Sequence, residues 1–276
     1  MPYFKSKAGD ETINLYYQDC GEGPPVVLIH GWPLSHRMWE YQINALTEAG
    51  YRCIAYDRRG FGESDKPWTG YDYDTMSGDL HELLVNLDIE DAAIVGFSMG
   101  GGEVARYFGR FGHERVSKAM LISAVPPYLL KTEDNPDGGL EHDDIEEMMQ
   151  GVKDDRIAFM NGFGRQFVNF DQLGGDRISE ELLHYNHTIA SFASPKATQD
   201  CIRAFSETDF RDDLEKVDVP TLIVHGDADH IVPLEVSGQR SHEMIGGSRL
   251  EILEDAPHGL NFTHTDRLNK LMIDFL

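Results

Sequence analysis

An alternation of short apolar runs with helical patterns constrains the fold of this chain more than any other feature. The runs PVVLIH (25–30), YRCIAYD (51–57) and DAAIVGF (91–97) are almost continuously apolar, as is typical of strands buried on both faces of a parallel sheet. Helical patterns lie between them, at 37–49 and 75–87. This order predicts an α/β protein in which helices cover both faces of a mostly parallel sheet.

The alternation is interrupted in the middle of the chain. After a polar stretch (KTEDNPDGG), helical patterns rich in Phe and Met follow without a clear strand. We therefore predict a core formed by 1–125 and 214–276, with an inserted helical cap at 126–213. The remaining predicted elements are an exposed antiparallel strand at 12–19, strands at 118–124, 220–226 and 249–254, and helices at 101–111, 237–244 and 266–275.

Length and composition are those of a soluble globular protein. The 276 residues can build one sizeable core, 41% of them are hydrophobic, and no apolar run is long enough to cross a bilayer. The first residues (MPYFKSKAGDE) lack the apolar segment of a secretory signal. Cys20, Cys53 and Cys201 are scattered and odd in number, so we expect reduced thiols in a cytoplasmic protein.

The charge balance is strongly acidic. The chain has 48 Asp and Glu residues against 24 Lys and Arg residues, which gives a formal net charge of −24. Such a surface repels nucleic acid and anionic membranes, so neither is an expected partner. Salt would screen the self-repulsion. Adaptation to a saline environment is one interpretation, and an ordinary acidic cytosolic protein is the other.

A lone serine between glycines follows the strand predicted at 91–97. The segment GFSMGG (96–101) has the G-x-S-x-G pattern of a nucleophile elbow, a sharp strand-to-helix turn that exposes a serine. The turn strains the backbone of the serine, so its neighbours Gly96 and Gly100 must be small. Ser98 is the candidate nucleophile, and a serine that only caps a helix is the alternative.

A nucleophilic serine needs a base, and the base needs an orienting acid. In elbow-containing enzymes they follow in the chain order Ser, acid, His. His258, in DAPHGL after the strand at 249–254, is the candidate base, because its loop would reach the carboxyl edge of the sheet. The loop HGDADHIVP after the strand at 220–226 offers two acids. Asp229 is the candidate, whereas Asp227 directly follows a glycine and is expected to shape the turn.

The same loop also raises the possibility of a metal site. His225, Asp227, Asp229 and His230 loosely match the H-x-H-x-D-H pattern of binuclear metallohydrolases. The second histidine of that pattern is missing, and no further ligand cluster is evident in the sequence. We therefore expect no metal site.

A tetrahedral oxyanion needs two N–H donors. Met99 follows the nucleophile and is the first candidate. The second is expected from the loop HGWPLS after the strand at 25–30. Pro33 has no N–H group, so Trp32 is the candidate, and its ring is expected to wall the pocket.

Five motifs together resemble those of the cofactor-free (non-haem) haloperoxidases and their perhydrolase and arylesterase relatives, in the α/β-hydrolase superfamily. The resemblance covers nearly the whole chain. It implies an eight-stranded, mostly parallel sheet with a helical cap, a triad of Ser98, Asp229 and His258, and oxyanion donors at Trp32 and Met99. The motifs are HGWPLS, YDRRGFGESDKPWTGYDYDT, GFSMGGGEVARY, AVPPYLLKTEDNPDG and DAPHGL.

The resemblance also implies an activity. Family members hydrolyse small esters through an acyl-enzyme and form peracids when hydrogen peroxide replaces water, without a cofactor. Pro33 matches the proline that follows the oxyanion residue in the peroxidase branch. The expected partners are a small ester or carboxylic acid and hydrogen peroxide. Relatives are often trimers or larger, which leaves a homo-oligomer open, but the sequence itself does not define the oligomeric state.

Three other functions stay open at this stage. A γ-lactamase or a carbon–carbon bond hydrolase would use the same triad, and a non-catalytic ligand receptor would use the same fold. Haloalkane dehalogenases and epoxide hydrolases need an aspartate at the elbow, which Ser98 argues against. Cap aromatics including Phe159 and Phe167 suggest a compact apolar pocket, and plain core packing of these aromatics is the alternative. The residues predicted to line it are Trp32, Val125, Phe163, Phe192 and Ile231.

Overall fold

The computed structural model describes residues 2–276, which form one eight-stranded sheet flanked by helices. The strands lie in the order β1-β2-β4-β3-β5-β6-β7-β8. β1 pairs antiparallel with β2 and β2 antiparallel with β4, and the other neighbours are parallel. The strand bounds are β1 Tyr3–Ser6, β2 Ile13–Cys20, β3 Pro25–Ile29, β4 Arg52–Tyr56, β5 Ala92–Phe97, β6 Val116–Ile122, β7 Thr221–Gly226 and β8 Arg249–Leu253.

The predicted fold class is confirmed. β5 is buried along its whole length, and it lies between β3 and β6 at the centre of the sheet, as its continuous apolar sequence requires. The helix bounds are α1 Glu40–Glu48, α2 Tyr73–Asn86, α3 Met99–Phe111, α4 His142–Phe167, α5 Phe170–Leu173, α6 Glu180–Ser191, α7 Pro195–Glu207, α8 Arg211–Leu214, α9 Gly238–Met244, α10 Leu260–Thr263 and α11 Thr265–Phe275. Short 3-10 helices lie at His36–Trp39 and Leu234–Val236.

The segment between β6 and β7 is helical. Its longest helix, α4, is broken at Asp155, where the backbone leaves helical angles (φ −152°, ψ 88°). α4 packs against α6 and α7. The short helix α8 packs against α3 and crosses the predicted cap boundary at 213/214, so the division at 125/126 and 213/214 remains a prediction.

Candidate active site

Ser98 lies at the tight turn between β5 and α3. Its backbone has φ 52° and ψ −119°, a conformation that costs an L residue energy and is maintained only when the surroundings enforce it. A Cβ on Gly96 would approach the carbonyl oxygen of Gly100 to 2.4 Å, and one on Gly100 would approach that of Ile29 to 2.5 Å. These close approaches are the physical reason for the glycines of the elbow.

The structure brings Ser98, His258 and Asp229 into one hydrogen-bonded chain. Ser98 Oγ lies 2.9 Å from His258 Nε2, and His258 Nδ1 lies 2.7 Å from Asp229 Oδ2. All three side chains are buried. The loops after β5, β7 and β8 deliver them to the carboxyl edge of the sheet, because these three strands are parallel within the sheet.

Asp229 is held as a carboxylate by the groups around it. Its Oδ1 accepts hydrogen bonds from the backbone N–H groups of Ile231 (3.0 Å) and Val232 (2.9 Å). Burial alone would raise the pKa of this carboxyl, but the charge of His258 and hydrogen bonds from His225 and His258 outweigh it and hold the pKa well below its usual range. Asp229 can therefore orient His258 and stabilise its imidazolium form.

Two aromatic rings fix the plane of His258. The rings of Phe97 and Phe167 make edge contacts with the imidazole, at centroid distances of 5.2 and 4.9 Å. The backbone N–H of Gly259 also donates to the carbonyl of Phe167 at 2.6 Å. The cap helix α4, which ends at Phe167, thus contributes directly to the position of the candidate base.

The two predicted oxyanion donors are both free to bind a ligand. Among residues 2–276, neither the backbone N–H of Trp32 nor that of Met99 donates to a protein acceptor. Met99 is the first residue of α3, where N–H groups lack an intrahelical partner and the helix dipole favours negative charge. The Trp32 ring is anchored by a hydrogen bond from Nε1 to the carbonyl of Thr198 (3.2 Å).

A buried polar network lies beneath the loop after β3, which carries the predicted oxyanion donor Trp32. Arg58 donates from Nη2 to the carbonyl of His30 (2.6 Å), and its backbone N–H donates to His30 Nε2 (3.0 Å). The Arg58 guanidinium also pairs with Glu103 of α3, which accepts a further hydrogen bond from the hydroxyl of Tyr56. Burial, with the positive charge of Arg58, lowers the pKa of His30 to about 3, so His30 is neutral at pH 7.

Arg58 and Glu103 were not identified from the sequence as parts of the site. Both lie in motifs that carried the family resemblance, YDRRGFG and GGGEVARY. Glu103 directly follows three glycines at the start of a helix, a feature that could have indicated its burial, whereas Arg58 lies in a charge-rich segment and has no such signal.

A small, mostly apolar cavity of about 50 Å³ opens onto Ser98. Four of the predicted pocket residues, Trp32, Val125, Phe163 and Ile231, line it. The Phe163 ring makes an edge contact with Trp32 at a centroid distance of 5.1 Å, which joins α4 to the loop after β3. Lining residues that the sequence reasoning missed are Leu129, Leu140, Met148, Phe205 and Val232.

Phe192 does not line this cavity, so its predicted place in the pocket is corrected. Its side chain is 66% exposed and borders a separate surface depression beside Lys66 and Tyr185. Phe192 is the C-cap of α6, where the helix ends and the side chain turns outward. Phe159 and Phe167 do not line the cavity either, and they pack around it instead, against Trp32 and His258 respectively.

The four possible metal ligands of the β7 loop do not converge. His225 is buried and donates from Nε2 to the carbonyl of Val232 (2.8 Å), with Asp229 Oδ2 at 3.4 Å. Asp227 Oδ1 instead accepts the backbone N–H of Asp255, while the side chain of His230 is exposed. Within the part of the chain that the structure describes, no three His, Cys, Asp or Glu residues are placed to share an ion.

Within residues 2–276, no helix combines the length and the apolar character that a bilayer span requires.

Comparison with known proteins identifies the family. A family model described as the alpha/beta hydrolase fold matches residues 24–265. The chain is 50% identical over 277 residues to a putative non-heme chloroperoxidase of Synechocystis sp., with 100% of both chains covered. The bifunctional esterase/perhydrolase DCH of Acinetobacter calcoaceticus is 37% identical, with 100% of this chain and 99% of that one covered.

A solved structure agrees with these sequence relatives. The crystal structure of a bromoperoxidase from Bacillus anthracis superposes with a TM-score of 0.94 at 52% identity, and 99% of each chain is covered. The chain is thus an enzyme of the α/β-hydrolase family and belongs, within that family, to the cofactor-free haloperoxidases.

Proposed function

We propose that this enzyme hydrolyses small carboxylic esters, aryl esters among them, through an acyl-enzyme on Ser98, and that it forms peracids from carboxylic acids and hydrogen peroxide. The observation that carries the proposal is the continuous hydrogen-bonded chain from Asp229 through His258 to Ser98 Oγ, at 2.7 and 2.9 Å. The Ser98 end of this hydrogen-bonded series faces an apolar cavity that can hold a short acyl group.

Acylation uses each of these groups in turn. His258 Nε2 takes the proton of Ser98 as Oγ attacks the acyl carbonyl, and Asp229 stabilises the imidazolium that forms. The oxyanion is bound by the backbone N–H groups of Trp32 and Met99. His258 then returns the proton to the leaving alcohol, which departs and leaves the acyl group on Ser98.

Deacylation determines the product. His258 removes a proton from water or from hydrogen peroxide, and the resulting nucleophile attacks the acyl carbonyl and displaces Ser98. Water yields the carboxylic acid, whereas peroxide yields the peracid. The name of the Acinetobacter relative, an esterase/perhydrolase, supports both outcomes for this chain. Each step uses groups of the chain itself, so the mechanism requires no cofactor.

The test compares the enzyme with Ser98→Ala on p-nitrophenyl acetate, after exhaustive chelation. We expect the variant to lose ester turnover by at least about 10⁴-fold, as removal of a triad nucleophile does in other enzymes. Ser206→Ala is the matched control, because Ser206 is a buried serine outside the site. Full turnover by Ser98→Ala would contradict the proposal.

A second assay separates perhydrolysis from hydrolysis. Acetate, hydrogen peroxide and bromide are supplied together, and bromination of a dye reports the peracid. Bromination that disappears with Ser98→Ala supports peracid formation at this serine. Ester turnover without bromination would leave a plain esterase. Turnover of a γ-lactam or a vinylogous diketone in preference to esters would favour the corresponding hydrolase.

A further inference from the structure

Met148 is the methionine that lines the cavity beside Ser98. Within residues 2–276, only Met148 and Met244 are partly exposed, and the other methionines are buried. Met148 lies in the first half of α4 and lines the cavity of about 50 Å³ together with Ser98. Met244 lies at the end of α9, outside that cavity.

We infer that Met148 is a site at which the enzyme is oxidised by its own peracid product. This inference rests on the proposed peracid formation. A peracid released from Ser98 forms inside the cavity that Met148 lines. It can therefore react with the thioether before it diffuses into bulk solvent. Thioethers are oxidised to sulfoxides, and flexible, partly exposed ones are the most susceptible.

The oxidation is balanced without any further reagent. The peracid O–O bond breaks, its terminal oxygen forms the S=O bond, and the hydroxyl proton passes to the departing carboxylate oxygen. Sulfur is oxidised by two electrons, the peracid is reduced to its carboxylic acid, and methionine becomes methionine sulfoxide. A peracid is a better oxygen donor to a thioether than hydrogen peroxide is, because carboxylate is a better leaving group than hydroxide.

The position of Met148 gives this modification a functional consequence. The cavity wall around it is apolar, formed by Leu129, Leu140 and Phe205 among others. A sulfoxide makes this apolar wall polar, so it disfavours binding of an apolar acyl group. Oxidation of Met148 thereby limits the number of peracid turnovers that each enzyme molecule completes.

The experiment follows methionine oxidation by peptide mass spectrometry during turnover of acetate and hydrogen peroxide. We expect Met148 to gain one oxygen at least about tenfold faster than Met244 in the active enzyme, because the oxidant is generated beside it. Free methionine in the buffer should protect Met244 but not Met148. In Ser98→Ala, given the same acetate and peroxide, this preference should disappear.

A second readout follows activity. Met148→Leu should retain a larger fraction of its own initial ester-hydrolysis rate after a fixed number of peracid turnovers than the parent enzyme, whereas Met244→Leu should lose activity as the parent does. The bromination assay is run on the same samples. If bromination shows peracid but Met148 and Met244 are oxidised at equal rates, the inference is wrong and the proposed function stands. If no peracid forms, proposed perhydrolysis and inference fail together.

Discussion

At the scale of single residues, the site is defined by how few positions each side chain can occupy. His258 is held by Asp229, by Ser98 and by two aromatic edges, so its ring has one orientation. Asp229 is fixed by two backbone N–H groups as well as by His258. Such restraint keeps the reacting atoms near their productive distances before a substrate arrives.

His30 gives the folded state a dependence on pH. Its pKa is lowered to about 3 by burial and by Arg58, against about 6.5 in the unfolded chain. The unfolded state therefore binds the extra proton between these values, and stability is lost as the pH falls from about 6.5 toward 3. We expect His30→Gln, whose amide oxygen can still accept the N–H of Arg58, to remove this contribution.

The measurement is the free energy of urea unfolding at pH 7.5 and pH 5. Between these values the parent protein should lose about 2 kcal/mol more than His30→Gln does. His142→Gln is the control, since His142 is exposed, and it should follow the parent protein. Equal pH dependence in all three proteins would show that His30 does not titrate abnormally.

At the scale of elements, long apolar runs and the elbow were predictable, because their burial requires a continuous sequence signature. The predicted strands at 25–30 and 91–97 differ from β3 and β5 by one residue at one end. β1 was missed, because YFKS is an edge strand of four residues and its alternation of exposed and buried positions is too short to indicate a strand. Phe192 was misplaced because apolar spacing on a helix does not reveal where that helix ends.

The contacts between elements were not predictable in the same way. Arg58 and Glu103 are 45 residues apart, and nothing local indicates that they pair. Likewise, His225 borders Asp229 only because the loop after β7 folds back across that strand end. Such tertiary partners depend on the register of the whole sheet, which no short sequence window contains.

The ion pair between Arg58 and Glu103 joins the loop after β4 to α3. We expect Glu103→Leu alone to destabilise the protein by about 3–5 kcal/mol, because it leaves a buried guanidinium without its carboxylate. The double variant Arg58→Met/Glu103→Leu should recover part of that loss, because it removes the unpaired guanidinium. It still loses the bond to His30 and leaves the buried Tyr56 hydroxyl without its acceptor. Urea unfolding of the single and double variants measures the coupling, and purely additive losses would contradict the expectation.

Phe163 on α4 is one of the bulky side chains that line the cavity beside Ser98. We expect Phe163→Ala to raise the rate on p-nitrophenyl butyrate relative to p-nitrophenyl acetate by at least about tenfold, because the added methylenes gain space and apolar contact. Phe192→Ala is the matched control on the same cap and should leave the ratio of kcat/KM values unchanged, as its ring is exposed. A shift in both variants would indicate a general loosening of the cap.

At the scale of the whole molecule, the net charge of −24 is the dominant electrostatic feature. Several cations are already paired with carboxylates, among them Arg52 with Asp19 and Arg203 with Glu146. The carboxylates in excess of the cations repel one another across the surface. Their repulsion weakens the compact state at low ionic strength and is screened as salt is added.

We expect the free energy of unfolding to rise between about 0.05 and 1 M NaCl, as the screening length falls from above 10 Å to about 3 Å. Ester turnover should persist over this range. Sucrose at matched osmolality is the control, because it stabilises folded proteins without screening charge. Turnover that falls steadily with added NaCl would contradict salt tolerance.

The hydrogen bond between Ser98 and His258 spans 160 residues of sequence. The elbow lies between β3 and β6, the immediate neighbours of β5, whereas the imidazole comes from the loop after β8, three strands beyond β5 in the sheet. Pairings of such long range close late in folding. During refolding, recovery of ester turnover therefore reports this long-range contact, and we expect it later than the recovery of circular dichroism at 222 nm, which reports the helices.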